Sequence, residues 1–208
     1  MKELAPLLEV MAAAYRAHGA TEQPGVAMAR RVADLLAGLD AGGARPDASP
    51  NRVAAARWMD DLIEAAAAGP AAAIAAALAP VLPAVDWVQT YSEAELGPDY
   101  LENYGYFDIA SPERGLIRTN ALATGFLVIG PGKLYPEHYH PAVELYHVVA
   151  GTPDWQVDDG PWLAKPAGCF IFHRSMAVHA MRTNDRPLLA LYAWLGDLAT
   201  SAKLGRPE

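Results

Sequence analysis

The sequence predicts a mainly β protein with an N-terminal α segment: one small antiparallel β-barrel preceded by helices. Two observations carry this prediction. Before Val85 the chain is rich in alanine and its larger apolar residues recur at helical spacing. After Val85 alanine falls away, aromatic and β-branched residues rise, and turn residues arrive about every eight to twelve positions. At 208 residues, 52% apolar and 19% charged, the chain is long enough and apolar enough for one domain with a full core.

The first segment, residues 1–85, reads as helices. Leu4, Leu7, Leu8, Met11 and Tyr15 share one helical face, as do Val32, Leu35, Leu36 and Leu39. Gly42, Gly43 and Pro46 make the turn that follows. Ser49-Pro50 has the form of an N-cap with proline at the first helical position, which would place Val53, Trp58 and Leu62 on a buried side. Pro70 can open one more short helix, and Pro80 and Pro83 would end it.

Residues 86–200 read as the barrel, with strands expected at 86–91, 116–120, 124–129, 143–149, 154–157, 169–173 and 188–195, and residues 201–208 as a tail. Asp158-Asp159-Gly160 is a hairpin signal between two of these strands. Many short strands without helical crossovers imply a sandwich or barrel, and small barrels hold small ligands.

Composition excludes several classes of function. A net charge of −8 repels nucleic acid and anionic membrane surfaces. The uncharged run from Ala65 to Val85 has the length of a bilayer span, but it is mostly alanine and is broken by Gly69, Pro70, Pro80 and Pro83. The opening residues carry Glu3 and Glu9 and make a poor signal peptide. The lone Cys169 precludes an intrachain disulfide and suits a reducing compartment; within its apolar run it reads as a small buried hydrophobe, not a nucleophile. The expectation is a cytoplasmic protein, monomer or homodimer, whose partner is a small molecule.

The chemistry is concentrated between Gly132 and Gly151. His138, His140 and Glu144 fall within seven residues and, with Tyr146, share strand parity, so on a strand they face one side while Tyr139 and His147 face the other. Burying two imidazoles and a carboxylate together is costly without a metal. His179 is placed to supply a fourth ligand from a later strand, with His173 as its rival. The other histidines read as ordinary core or surface residues. One divalent metal is therefore expected; zinc, iron, manganese, cobalt and nickel all accept such ligands, and the sequence does not choose among them.

The spacing Gly132, five residues, His138-x-His140, three residues, Glu144, six residues, Gly151 resembles the first cupin motif at each fixed position. Gly160, five residues, Pro166-x-Gly168 resembles the second, although its histidine stands later than usual. Within cupins the chain resembles the dimethylsulfoniopropionate lyases and lyase-like cupins. That resemblance rests on Tyr135, on His140-Pro-Ala-Val-Glu144-Leu-Tyr146, on Ala-Val-His179-Ala-Met-Arg-Thr, on the closing stretch from Pro187 to Asp197, and on the helical segment before a single barrel.

The resemblance implies β-elimination of a sulfonium zwitterion to dimethyl sulfide and acrylate. A metal on His138, His140, Glu144 and His179 would hold the substrate carboxylate and acidify the adjacent C–H. Tyr146 would take the proton as phenolate, with Tyr135 as reserve base or hydrogen-bond donor. Trp155, Tyr192 and Trp194 are candidate aromatic walls for the cation; each taken alone reads as barrel core, and Trp194 is the one expected to line the pocket. The competing readings are a cupin dioxygenase or isomerase on another small carboxylate, and a non-catalytic metal-binding cupin.

Overall fold

The computed structural model describes residues 2–47 and 49–207. Four helices come first: α1 (Leu4–Gly19), α2 (Val26–Ala37), α3 (Met59–Ala67) and α4 (Ala72–Leu78). Two short ones, α5 (Glu93–Leu96) and α6 (Pro98–Leu101), fall inside the stretch read as all β, just after strand β1 (Trp87–Val88). A capping box at Ser92 and Glu95 starts α5, and Pro98 at the first position starts α6.

The remaining strands are β2 (Tyr104–Ser111), β3 (Ile117–Arg118), β4 (Ala123–Ile129), β5 (Leu134–Tyr139), β6 (Val143–Ala150), β7 (Asp154–Val157), β8 (Leu163–Ala164), β9 (Phe170–His173), β10 (His179–Arg182), β11 (Leu188–Leu195) and β12 (Lys203–Leu204). They form a seven-stranded sheet in the order β1-β2-β4-β11-β6-β9, with β3 beside β2, and a five-stranded sheet in the order β12-β5-β10-β7-β8. Among the described residues only β2 and β3 pair in parallel. Side chains of both sheets, among them Tyr146 and Tyr192 from one and Tyr135, Trp155 and Met181 from the other, meet in one interior cluster. This is the double-stranded β-helix of the cupins.

The larger sheet is buried on both faces, and the alternation in β11 shows how. Leu189, Leu191 and Ala193 pack outward with the helices, while Leu188, Ala190 and Tyr192 point into the barrel. The predicted stripe of α1 lies on the outward face, fully enclosed at Leu4, Leu7, Met11 and Tyr15. Helices and barrel thus share one core. Among the described residues, no helix is long and apolar enough to cross a membrane.

Three local readings change. Ser49-Pro50 opens no helix: Asn51 donates its N–H to the Asp86 carboxylate at 2.6 Å and accepts from Trp87 N–H at 3.1 Å, so the chain runs extended beside β1 and turns helical only at Ala54. Strand β2, absent from the sequence reading, runs beside β4 in the larger sheet, between it and the short β1. The tail contributes β12, which pairs with β5 and sets Leu204 opposite His138. The hairpin turn falls where expected, with Asp158 in the left-handed region between β7 and β8.

Candidate metal centre

Two sheets supply the centre, because the chain changes sheet at His140-Pro141-Ala142, between β5 and β6. On the smaller sheet His138 of β5 and His179 of β10 are register partners. On the larger sheet Glu144 of β6 stands between its partners Trp194 on β11 and His173 on β9. His140 occupies the corner. His138, His140, Glu144 and His179 are each at most 2% exposed.

The tautomers follow from the backbone. Nδ1 of His138 lies 2.8 Å from the Pro136 carbonyl, Nδ1 of His140 3.0 Å from that of Ala142, and Nδ1 of His179 3.0 Å from that of Ala177. A carbonyl only accepts, so each Nδ1 carries the proton; a neutral ring then leaves its Nε2 lone pair free, as at His179, whereas at His140 the Glu144 carboxylate beside Nε2 favours the protonated ring in the absence of a cation. His140 Nε2 is 3.2 Å and His179 Nε2 3.4 Å from the same Glu144 oxygen, and His179 Nε2 has no hydrogen-bond partner among the described residues. The donor atoms of His140, Glu144 and His179 all lie within 4.8 Å of one another. Buried lone pairs beside a carboxylate, with each imidazole oriented by a backbone carbonyl, are the arrangement a divalent cation requires. His138 lies against this trio, its ring centroid 4.0 Å from that of His179 and 3.8 Å from that of Tyr135, on which it stacks.

His173 is disposed differently. Trp155 donates its indole N–H to His173 Nε2 at 3.1 Å, which puts the proton on Nδ1, and Nδ1 donates to Glu144 at 2.9 Å. Both nitrogens are engaged, whereas His179 keeps one free. The other Glu144 oxygen accepts from the Trp194 indole at 2.6 Å.

Burial and the Glu144 carboxylate act differently on the three imidazoles. Burial pushes His138 down to about 3 and His179 well below the ordinary imidazole value, so both are neutral. Burial alone would raise Glu144, but His140 and His173 hold its carboxyl well below the usual range. Burial likewise opposes the charged form of His140, and the Glu144 carboxylate reverses that and raises it.

A cavity of about 140 Å³ opens against the centre, lined on that side by Glu144, Tyr135, Tyr146, Tyr192 and Trp194. Burial, followed by the Glu144 charge, pushes the Tyr146 phenol well above its ordinary value. The Tyr135 hydroxyl shares a hydrogen bond of 2.9 Å with Tyr91 and is also raised, first by burial. Trp155, expected as an aromatic wall, does not line the cavity: its indole is enclosed, 1% exposed, and spent on His173. Sequence reasoning missed Asp108, Tyr104 and Tyr106, which line the cavity from β2. A polar residue amid the apolar run of β2 was the available signal.

The family model for dimethylsulfoniopropionate lyase matches residues 27–190. The dimethylsulfoniopropionate lyase DddQ of Ruegeria pomeroyi is 35% identical over 122 residues, covering 59% of this chain and 60% of that protein, so the match spans less than two thirds of the relative. The crystal structure of DddQ from Ruegeria pomeroyi DSS-3 superposes with a TM-score of 0.71 at 28% identity, covering 98% of both chains. A structure described under the dimethylsulfoniopropionate lyases RdDddP and RnDddQII gives a TM-score of 0.75 at 27% identity, covering 99% of this chain and 98% of that one.

Proposed function

The chain belongs to the dimethylsulfoniopropionate lyase family, and from that premise we propose that it is a metal-dependent carbon–sulfur lyase that cleaves dimethylsulfoniopropionate to dimethyl sulfide and acrylate. The supporting observation is the convergence of the buried Nε2 atoms of His140 and His179 on Glu144 at one end of a small cavity. His140, Glu144 and His179 would hold the metal, with His138 beside them as a further ligand. When bound, the cation supplies a Lewis acid that neutralises the substrate carboxylate and the negative charge developing next to it.

Tyr146 is the base in this reading. It lies two residues beyond Glu144 on β6, inside the barrel and on the cavity wall. Its phenolate oxygen takes a proton from the carbon next to the carboxylate. The C–H electron pair becomes the C=C bond, the C–S bond breaks, and its pair leaves on sulfur as neutral dimethyl sulfide, so no acid is needed for the leaving group. Burial and Glu144 both oppose the phenolate, so positive charge at the adjacent centre is the condition for Tyr146 to act. Trp194 and Tyr192 wall the cavity, and Tyr135 is held by Tyr91 where it can donate to the carboxylate.

The test is headspace dimethyl sulfide from purified protein supplied with dimethylsulfoniopropionate after reconstitution with zinc, iron, manganese or nickel. Metal-dependent release, abolished in His140→Ala together with metal binding and in Tyr146→Phe with metal retained, is the expected result. Metal-loaded protein that releases none, and that consumes oxygen with iron instead, would move the assignment to a dioxygenase.

A further inference from the structure

The cavity has a second ionisable wall, away from the metal centre. Tyr146, Tyr192, Gly125 and Asp108 are successive register partners across β6, β11, β4 and β2, and so form one row of the larger sheet. Gly125 brings no side chain to this row, and a Cβ there would run into the Phe107 carbonyl. Tyr192 reaches across the gap and donates its hydroxyl to Asp108. Asp108 is only 8% exposed, yet it lines the cavity together with Tyr104, Tyr106 and Trp194.

A carboxylate enclosed this way costs free energy unless positive charge reaches it. Among the described residues no ion pair does: Arg114 lines the same cavity, but it is bonded there through its backbone, whose carbonyl and N–H pair with the Ser111 hydroxyl. Burial pushes the Asp108 carboxyl up, against weaker pulls from Tyr192, Ser111, Arg114 and Arg118. The groups that donate to Asp108 among the described residues are neutral hydroxyls, the Tyr192 phenol foremost, and the walls beside it are aromatic. A permethylated onium group has no N–H or O–H to offer. It is recognised by negative charge at van der Waals distance and by aromatic faces, and both are present.

We propose that Asp108 is the counter-ion that selects the cationic onium end of a zwitterionic substrate whose carboxylate is held at the centre of His140, Glu144 and His179. This rests on the lyase reading, in which the substrate carries those two charges a few bonds apart. Asp108 is then a specificity residue, with Tyr192 positioning it, and neither takes part in proton transfer.

The experiment uses the metal-loaded full chain and two isosteric ligands, 3-(trimethylammonio)propionate and its neutral carbon analogue 4,4-dimethylpentanoate, with affinities read by calorimetry. The wild type is expected to prefer the onium, and Asp108→Asn to lose that preference. With dimethylsulfoniopropionate as substrate, Asp108→Asn is expected to raise KM roughly ten- to a hundredfold with a much smaller change in kcat. Asp108→Glu, which keeps the charge, should keep the preference, and Tyr192→Phe, which keeps the charge but removes the bond that positions it, should reduce the preference without abolishing it. A wild type that binds both isosteres equally overturns the proposal whether or not the variant folds, as does an Asp108→Asn protein that still discriminates. If the wild type releases no dimethyl sulfide but shows an onium preference that Asp108→Asn abolishes, the lyase reading falls and the role of Asp108 stands.

Discussion

Glu144 is fixed before any ligand arrives, because one of its oxygens accepts from Trp194 and the other from His173. Such outer partners set the direction in which a ligand offers its lone pairs. His173→Gln should therefore weaken metal binding roughly 10- to 100-fold by chelator competition while the circular dichroism spectrum stays native; unchanged affinity would leave His173 a mere core residue. Trp194→Phe keeps the ring and removes its N–H. A buried carboxylate oxygen then loses a charged hydrogen bond, and the metal-free protein should be destabilised by about 1.5–3 kcal/mol in a denaturant titration. The ligand spacing was legible in the sequence because His138, His140 and Glu144 are close in the chain; their division between two strands was not, because the chain leaves β5 after Tyr139 and enters β6 of the other sheet at Val143. The indole and imidazole that hold Glu144 were not, because they come from 50 and 29 residues away and are brought beside it only by strand pairing.

At the scale of elements, the docking of α1 onto β6 and β9 carries a pH dependence. Phe170 of β9 lies between His18 of α1, with centroids 4.3 Å apart, and His147 of β6, at 4.2 Å, in a stack whose rings are nearly parallel. His147 Nδ1 is buried and has no partner among the described residues. Burial, and then His18, push His147 down to about 4. In the unfolded chain it titrates near 6.5, so the unfolded state binds the proton first. The stability tied to its neutral form is complete above pH 6.5 and is lost as pH falls through about 4, a loss of roughly 3 kcal/mol. His147→Asn should flatten the wild-type slope of thermal stability between pH 6.5 and 4; an unchanged slope would assign the acid sensitivity elsewhere. Strand β2 shows why some elements escape a sequence reading. It is buried on both faces, so it lacks the apolar–polar alternation that marks a strand, and Asp108 was overlooked along with it.

Across the whole molecule, the helices cover the outward face of the larger sheet and complete its core, as the burial of Leu145, Val149, Leu189 and Leu191 with α1 and α2 shows. Tyr15 of α1 also donates to the Leu145 carbonyl across the layer. One shared core predicts one cooperative unfolding transition, with helical and aromatic circular dichroism signals falling together. Leu145→Ala, which hollows the layer between helices and barrel, should cost about 2–5 kcal/mol and lower both signals in step. Separate transitions would mean that the helices fold independently of the barrel.

The sequence by itself determined the order of helices before barrel, the hairpin at Asp158 and the close spacing of His138, His140 and Glu144. Each depends on residues near one another in the chain, where the periods of helix and strand and the geometry of turns decide the outcome. Only the tertiary structure decided that His138 and Glu144 enter from different sheets, that His173 is engaged through both nitrogens while His179 keeps Nε2 free, that Trp155 is withdrawn from the cavity, and that Tyr192 meets Asp108 from 84 residues away. Those contacts depend on strand register. Register is set by the packing of two buried faces at once, and no local stretch of sequence contains that information.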